Sequence, residues 1–518
     1  MTIPHLFAPP SPAYPTRRDF LRRAGNGFGS LALTSLLAQQ GLLRDNAASA
    51  AVPVGNPMAP KPTHFASKVK SVIWLFMNGG PSQVDTWDYK PELAKRDGQE
   101  LEGFDKNTGF FTAQVGPMMK SPYKFAQHGQ CGAWVSEIFP QMARHVDKMA
   151  FLYSCWTDSN NHSPALFKIN TGFARMGFPC VGSWITYGLG CESQNLPAFV
   201  VMYDTLGRGI PKGHAQNWGA GFLPGIFQGT ALKAQGAPID DLYRDAAMTD
   251  AQQRSQLDLL AKLNRRRIEH LRQINSGGAA AATSPTTPGG SLNEPPSAAW
   301  ESDLAARIES FELAYRMQMA APEALDLAKE TEATHKLYGL DNPKATHFAR
   351  QCLIARRMVE RGVRFVQIYS GGMENELSWD GHQNIEKNHT GFAAETDQPI
   401  AGLLQDLAER GLLDSTLVIW GGEFGRLPLV QKGGTGRDHN PHAFTVWLAG
   451  GGVKGGTLHG ATDDIGHRAV EDRVSVHDLH ATILYLLGLD HKRLTYRYSG
   501  RDFRLTDVYG NVVEAVVA

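Results

Sequence analysis

The chain runs to 518 residues, and Lys plus Arg and Asp plus Glu each total 51, a balance that gives no pull toward nucleic acid or another phosphate polymer. That length suggests roughly two to four domains, or one large α/β unit, with ample material for a buried core. The five cysteines, Cys131, Cys155, Cys180, Cys191 and Cys352, are odd in number and lack paired metal spacing. They read as buried thiols, with a Cys180–Cys191 bridge open to an oxidising compartment.

The first fifty residues read as a targeting segment. Thr16-Arg17-Arg18-Asp19-Phe20-Leu21-Arg22-Arg23 is a twin-arginine n-region, 25–43 is a mildly apolar stretch, and Ala48-Ser49-Ala50 suits a small-residue cleavage site. The expectation is export through the twin-arginine translocase to the periplasm or beyond. No later run reaches about eighteen apolar residues, so no integral membrane segment is expected after removal of residues 1–50.

Downstream of the Pro- and Ala-rich 51–62, SVIWLFM at 71–77 reads as a first strand, and Asp85 and Asp88 lie in the loop after it. Residues 98–130 suggest irregular structure. A second strand is expected over 149–154, followed by a polar loop, 157–164, and a short helix closing at Thr171-Gly172. A third strand is expected over 198–203, and the glycine-rich 207–229 is either a lid or a surface loop. From 249 the period changes: Leu304, Ile308, Phe311 and Tyr315 recur at helical spacing. We therefore expect a helical insertion over about 240–340 with a low-complexity linker at 276–297. Strand and helix then alternate again, with strands at 363–369, 417–420 and 445–449 and helices at 397–410 and after Ser475. The last helix opens on Ser475 and Asp478, spaced as a capping box, and ends at Gly488. Strands alternating with helices predict an α/β fold with a mostly parallel sheet between helical layers, residues 51–518 forming one such unit.

Four polar loops follow four of these strands: 78–88, 158–163, 374–389 and 423–442. If the strands run parallel, the loops open at one edge of the sheet, where α/β proteins bind ligands. They would gather Asp, Glu, His and Asn in one cleft, donors that suit zinc, manganese, calcium or a similar divalent ion. A pair of such ions about 4 Å apart can clamp the attacking and leaving oxygens of a phosphoryl or sulfuryl transfer. Each short motif also has a plainer reading as solvated loop residues and ion pairs.

Trp379-Asp380-Gly381-His382, LQDLAERGLL at 404–413, Gly422-Glu423-Phe424-Gly425-Arg426, Gly436-Arg437-Asp438-His439-Asn440, LAGGGVKGG at 448–456 and Gly460-Ala461-Thr462-Asp463 together resemble a bacterial exported family designated only as domain of unknown function 1501. That family sits in the alkaline phosphatase and sulfatase superfamily, and the resemblance spans about 71–505. It implies an alkaline-phosphatase-like three-layer α/β/α sandwich holding one or two divalent ions, which hydrolyses sulfate or phosphate esters, perhaps of glycan or envelope material. In sulfatases the nucleophile opens a Cys-x-Pro-x-Arg motif that runs on to Thr-Gly. Here His162-Ser163-Pro164 runs on to Thr171-Gly172, so the resemblance places His162 at the nucleophile position. The superfamily's first metal aspartate corresponds most nearly to Asn78, and its later Asp-His pair becomes Glu423-Phe424.

The metal shell this implies is Asp380, His382 and His439, with Glu423 and Asn78 toward a second ion and Asp438 as ligand or orienter of an imidazole. His162 stands as nucleophile, metal ligand or general acid, with Ser163 as the fallback nucleophile. Arg426 and Arg437 either hold an anionic substrate or pair with Glu423 and Asp438. Three functions remain open: an ester hydrolase, a catalytically silent relative that binds a glycan or protein, and a phosphomutase or phosphotransferase, which export disfavours.

Overall fold

The computed structural model describes residues 56–105, 108–111, 114–233, 247–277, 296–373 and 375–518. The expected export segment, Glu374 and all of the expected linker except its helical ends lie outside them.

Strand one, Ser71–Met77, is a run of large apolar residues buried along its whole length. Such a strand needs cover on both faces. Its alternation supplies it: Ile73, Leu75 and Met77 enter one core, which also receives helices Thr346–Glu360 and Ile385–Glu409. Val72, Trp74 and Phe76 enter the other core, with helices Val181–Leu189 and Val476–Leu486. Helical layers on both faces of one sheet make the three-layer α/β/α arrangement expected from the sequence.

Across the sheet the strands run Leu458–His459, Met149–Trp156, Phe444–Gly450, Thr416–Gly421, Ser71–Met77, Phe365–Ser370, Phe199–Met202 and Thr230–Ala231, with Val474–Ser475 pairing alongside Met149–Trp156. Strand one pairs in parallel with Phe365–Ser370 and with Thr416–Gly421. Phe444–Gly450 is antiparallel to both of its neighbours. Met149–Trp156 therefore points the same way as the central strands, and the loops after 77, 156, 370 and 421 leave the same edge.

Two segments differ from expectation. The stretch after Gly422, expected to be all loop, contains the antiparallel pair Gly425–Gln431 and Arg437–Asn440, and Val115–Met118 from the region expected to be irregular pairs against it. The helix expected from 397 begins at Ile385 and carries Pro399 inside it. Helices Asp250–Gly277 and Pro296–Leu325 are joined side by side through Arg254 and Glu312. All five cysteines are free, so Cys180 and Cys191 are not bridged; Cys191 instead gives its thiol to the Gly362 carbonyl at 3.2 Å.

Asp397 ties the long helix to the sheet: its carboxylate accepts the Gln141 and Met142 N–H groups at 2.9 and 2.8 Å, just before strand Met149–Trp156. Burial raises its pKa to about 6, against the pull of those two donors. Between about pH 4 and that value the folded chain holds a proton that the unfolded chain has released, so stability falls as pH rises through the window. Denaturant titrations from pH 4 to 6.5 should therefore show the wild type losing stability relative to Asp397→Asn. Parallel pH profiles for the two proteins would contradict the assignment.

Candidate metal centre

The four loops at this edge converge on a buried group of nitrogen and oxygen donors. His162 is the first residue of helix His162–Thr171, whose N-cap Asn161 accepts the Ser163 N–H. Asp380 and His382 lie in the tight loop after Phe365–Ser370, and His439 lies on the strand Arg437–Asn440. The loop after strand one presses against the Asp380 loop at Gly79, which has φ +105°; a Cβ there would stand 2.6 Å from Ser378 Oγ and 2.7 Å from the Asp380 nitrogen. Only glycine permits that approach.

One ligand atom from each of His162, Asp380, His382 and His439 lies within 4.8 Å of the other three, and all four residues are buried. Asp380 is the hub. Its Oδ1 lies 2.8 Å from His382 Nε2 and 3.1 Å from His439 Nε2, and its Oδ2 lies 2.9 Å from His162 Nε2. Donors around one ion at zinc-like bond lengths stand about 3.4 Å apart, so the group has the dimensions of a single-ion cage.

Each imidazole has its outer nitrogen tied to an oxygen. His162 Nδ1 is 2.8 Å from Glu423 Oε1, His382 Nδ1 is 2.6 Å from Gln431 Oε1, and His439 Nδ1 is 2.6 Å from the Asn160 carbonyl. An acceptor on Nδ1 fixes the proton there and turns the Nε2 lone pair inward, the usual support of a metal-ligating histidine. His162 Nε2, although close to Asp380, lies off the line of a hydrogen bond and is a buried nitrogen with no hydrogen-bond partner. Three imidazoles and a carboxylate suit zinc or a related transition ion better than calcium, which prefers an all-oxygen shell.

The electrostatics fit a cation. Burial opposes a charge on His162, yet Asp380 and Glu423 outweigh it and raise its pKa. Burial also opposes the Asp380 charge, and His162 with Arg426 overcomes it, holding that carboxyl well below its usual range. His439 is kept neutral by burial and by the neighbouring His162 charge. The two carboxylates thus favour positive charge at this point, as they would the charge of a bound metal ion.

The remaining sequence candidates take other parts. Glu423 is not a ligand to a second ion: its carboxylate accepts the Gly79 N–H at 3.0 Å and orients His162. The Asn78 amide donates to the Gly372 carbonyl, clamping two loops together. Asp438 accepts the Phe111 N–H and its neighbour's His439 N–H, both at 2.7 Å. Among the described residues, donors gather at this one place only. Neither arginine is free for substrate or paired as expected. Arg426, fully buried, gives Asp380 Oδ1 a 2.6 Å bond and also donates to the Gly79 and Gly80 carbonyls. Arg437, equally buried, pairs with Asp85 at 2.7 Å. Ser163 is half-buried beside His162, and no imidazole or carboxylate takes its hydroxyl proton among the described residues. Phe424, where the family resemblance has a ligand, packs its ring between His162 and His439 at 4.9 and 4.5 Å.

Sequence reasoning missed Gln431, Asn160 and the aromatic pair Phe110–Phe111. The rings of that pair lie 5.6 Å from His439 and 5.2 Å from His382. An amide, a main-chain carbonyl and two phenyl rings carry no metal signature, and they reach the centre only through the fold.

An α/β/α sandwich with a His/Asp centre at the carboxyl edge of its sheet defines the class. The chain belongs to the family described as protein of unknown function, DUF1501, which matches residues 69–284 and 293–517. No curated protein matches it. Solved structures similar to it include the lipoteichoic acid synthase LtaP from Listeria monocytogenes, at 9% identity over 87% of this chain and 79% of that one, TM-score 0.30. The PsFucS1 sulfatase from Pseudoalteromonas sp. shares 11% identity over 96% and 76%, TM-score 0.34. The alkaline phosphatase of the Antarctic bacterium TAB5 shares 8% over 74% and 92%, TM-score 0.26.

If the outer oxygens set the inner donors, Glu423→Gln should weaken metal binding about 10- to 100-fold while His382→Ala and His439→Ala abolish stoichiometric loading. Elemental analysis of purified wild type should find about one equivalent of a transition metal, and chelation should lower its melting temperature. Equal metal content in wild type and His439→Ala would remove the centre.

Proposed function

We propose that the protein is an exported metal-dependent hydrolase of sulfate or phosphate esters, acting on anionic ester groups of glycan or envelope material. The observation that carries this reading is the convergence of three imidazole Nε2 atoms on the Asp380 carboxylate, each imidazole locked by an oxygen behind it.

A divalent ion bound there would supply Lewis-acid polarisation of the ester oxygen and stabilise charge building on the transferred group. The protein's part is positioning. Asp380 and the three histidines would hold the ion, Arg426 balances the Asp380 charge, and Glu423 orients His162 through its Nδ1. Since His162 points its Nε2 into the donor group, it serves as a ligand rather than as a covalent nucleophile. Ser163 lacks the adjacent base that a serine nucleophile needs. The reaction this favours is direct attack by water: a new O–S or O–P bond forms as the ester bond breaks, and the water proton ends on the leaving oxygen. Phe110 and Phe111, both exposed, set their rings against His439 and His382 and would limit the water that reaches them.

Metal-loaded protein should hydrolyse some member of a panel of aryl sulfates and aryl phosphates, with His382→Ala lowering kcat/KM at least 100-fold. If loaded wild type turns over none of them while still binding an anionic ester, the chain is instead a non-catalytic binder. Export is tested separately: Arg17→Lys with Arg18→Lys should leave the protein in the cytoplasm. Undiminished delivery of that variant to the periplasm would contradict the twin-arginine route.

A further inference from the structure

Beside the metal centre lies a cleft of about 740 Å³, bounded by the end of the Met149–Trp156 strand, helices His162–Thr171 and Val476–Leu486, and residues 508–511. None of the four metal-centre donors lines it. Its volume is that of a small-ligand site.

Two features of its walls point to a ligand. The first is aromatic surface. Tyr509, 61% exposed, lies flat on His477 with centroids 5.1 Å apart and planes 19° apart, and His477 is held from behind by the Gly172 carbonyl at 2.9 Å. Also lining the cleft, the Arg473 guanidinium sits 4.6 Å over the Trp156 ring. An exposed flat ring backed by a fixed one is a platform for a ring-shaped ligand with an apolar face.

The second is unspent positive charge. Four charged side chains besides Arg473 face the cleft: Lys168, Lys492, Asp158 and Asp478. Lys168 is paired with Asp158 at 3.2 Å. Asp478 is committed to capping, taking the Ser475 N–H and the Asn511 N–H at 2.9 and 2.7 Å. Arg473 and Lys492 have no carboxylate within ion-pair distance among the described residues. Two unpaired cations over a partly aromatic floor favour a ligand that is both flat and anionic.

The cleft also adjoins the chemistry. Thr157 and Asp158 line it, and the same loop continues through Asn160, whose carbonyl holds His439, to His162. Four residues span at most about 14 Å, so the cleft wall and the metal centre are within reach of one short oligomer.

We propose that this cleft is a subsite for an acidic saccharide, holding the neighbouring charged sugars of the chain whose ester is cleaved; its link to the metal centre rests on the ester-hydrolase reading. Tyr509 carries the apolar face of a sugar ring, and Arg473 and Lys492 take its sulfate or carboxylate groups.

The test is calorimetric binding of a sulfated tetrasaccharide and its desulfated counterpart to the full-length, metal-loaded protein. The sulfated probe should bind at least tenfold more tightly, and the preference should shrink as salt is raised. Arg473→Ala and Tyr509→Ala should each weaken its binding about tenfold, with Arg473→Lys recovering part of the loss. Turnover of a small aryl ester should be the same in these variants as in wild type. Equal affinity for the two probes, no binding of either, or unchanged affinity in both Arg473→Ala and Tyr509→Ala would overturn the subsite. The ester-hydrolase reading fails on a different measurement, absent aryl ester turnover, and saccharide binding would survive that failure.

Discussion

The carboxylate of Asp380 is the point on which the site depends. It sits on the Phe365–Ser370 side of the sheet edge and faces the imidazole of His382 in its own loop and those of His162 and His439 from two other places in the chain, together with the Arg426 guanidinium. A carboxylate so deeply buried is tolerated only when positive charge surrounds it, and removing one partner of such a buried pair costs about 3–5 kcal/mol. The arginine therefore belongs to the structure of the centre rather than to substrate recognition. It also donates to Gly79 and Gly80, so the charge balance of Asp380 and the path of the loop after strand one are the same set of bonds. Loss of either would disturb the other.

Much of this architecture is readable in the amino-acid order because apolar strands and their breakers are local signals. SVIWLFM followed by Asn78-Gly79-Gly80, and TLVIW followed by Gly421-Gly422, announce buried strands that stop abruptly. Parallel pairing of those strands then places their loops at a common edge. The hairpin 425–440 escaped because its strands carry Pro428, Arg437, Asp438 and His439 where alternating apolar residues would mark a strand. Those polar side chains are buried by partners distant in the chain, such as Asp85 for Arg437. Tertiary pairing of that kind leaves no local periodicity. The start of helix Ile385–Glu409 was hidden for a related reason: Pro399 lies within it, and a proline usually marks a helix boundary.

Roles within the site were less legible than membership. Asp380, His382, His439 and His162 are residue types that advertise themselves, and the structure brings them together. Whether a carboxylate touches an ion or the histidine behind it is decided by a few ångströms, which spacing along a loop does not encode. Glu423 illustrates the point: it is adjacent to the Gly421-Gly422 strand end, as a ligand would be, yet it faces the far nitrogen of His162. Phe424 illustrates the converse. A ligand position in the resembling superfamily has become an apolar wall, and the imidazole of His162 enters the donor group from the helix start.

The two arginines also constrain how an anionic substrate is recognised. Both candidates for that task are fully buried and spent on Asp380 and Asp85, so an anion arriving at the centre meets no free guanidinium from them. On the proposed reading, attraction there would come chiefly from a bound ion, which discriminates little between one ester oxygen and another. Discrimination among substrates would then fall to groups further out. Arg473 and Lys492 have no ion-pair partner among the described residues, and Tyr509 retains an exposed ring, at the cleft lined by the start of the loop that carries Asn160 and His162. Under the proposed hydrolase reading, this placement of charge would separate two tasks: the buried donor group would hold the reacting ester, and the more open cleft would select the substrate around it.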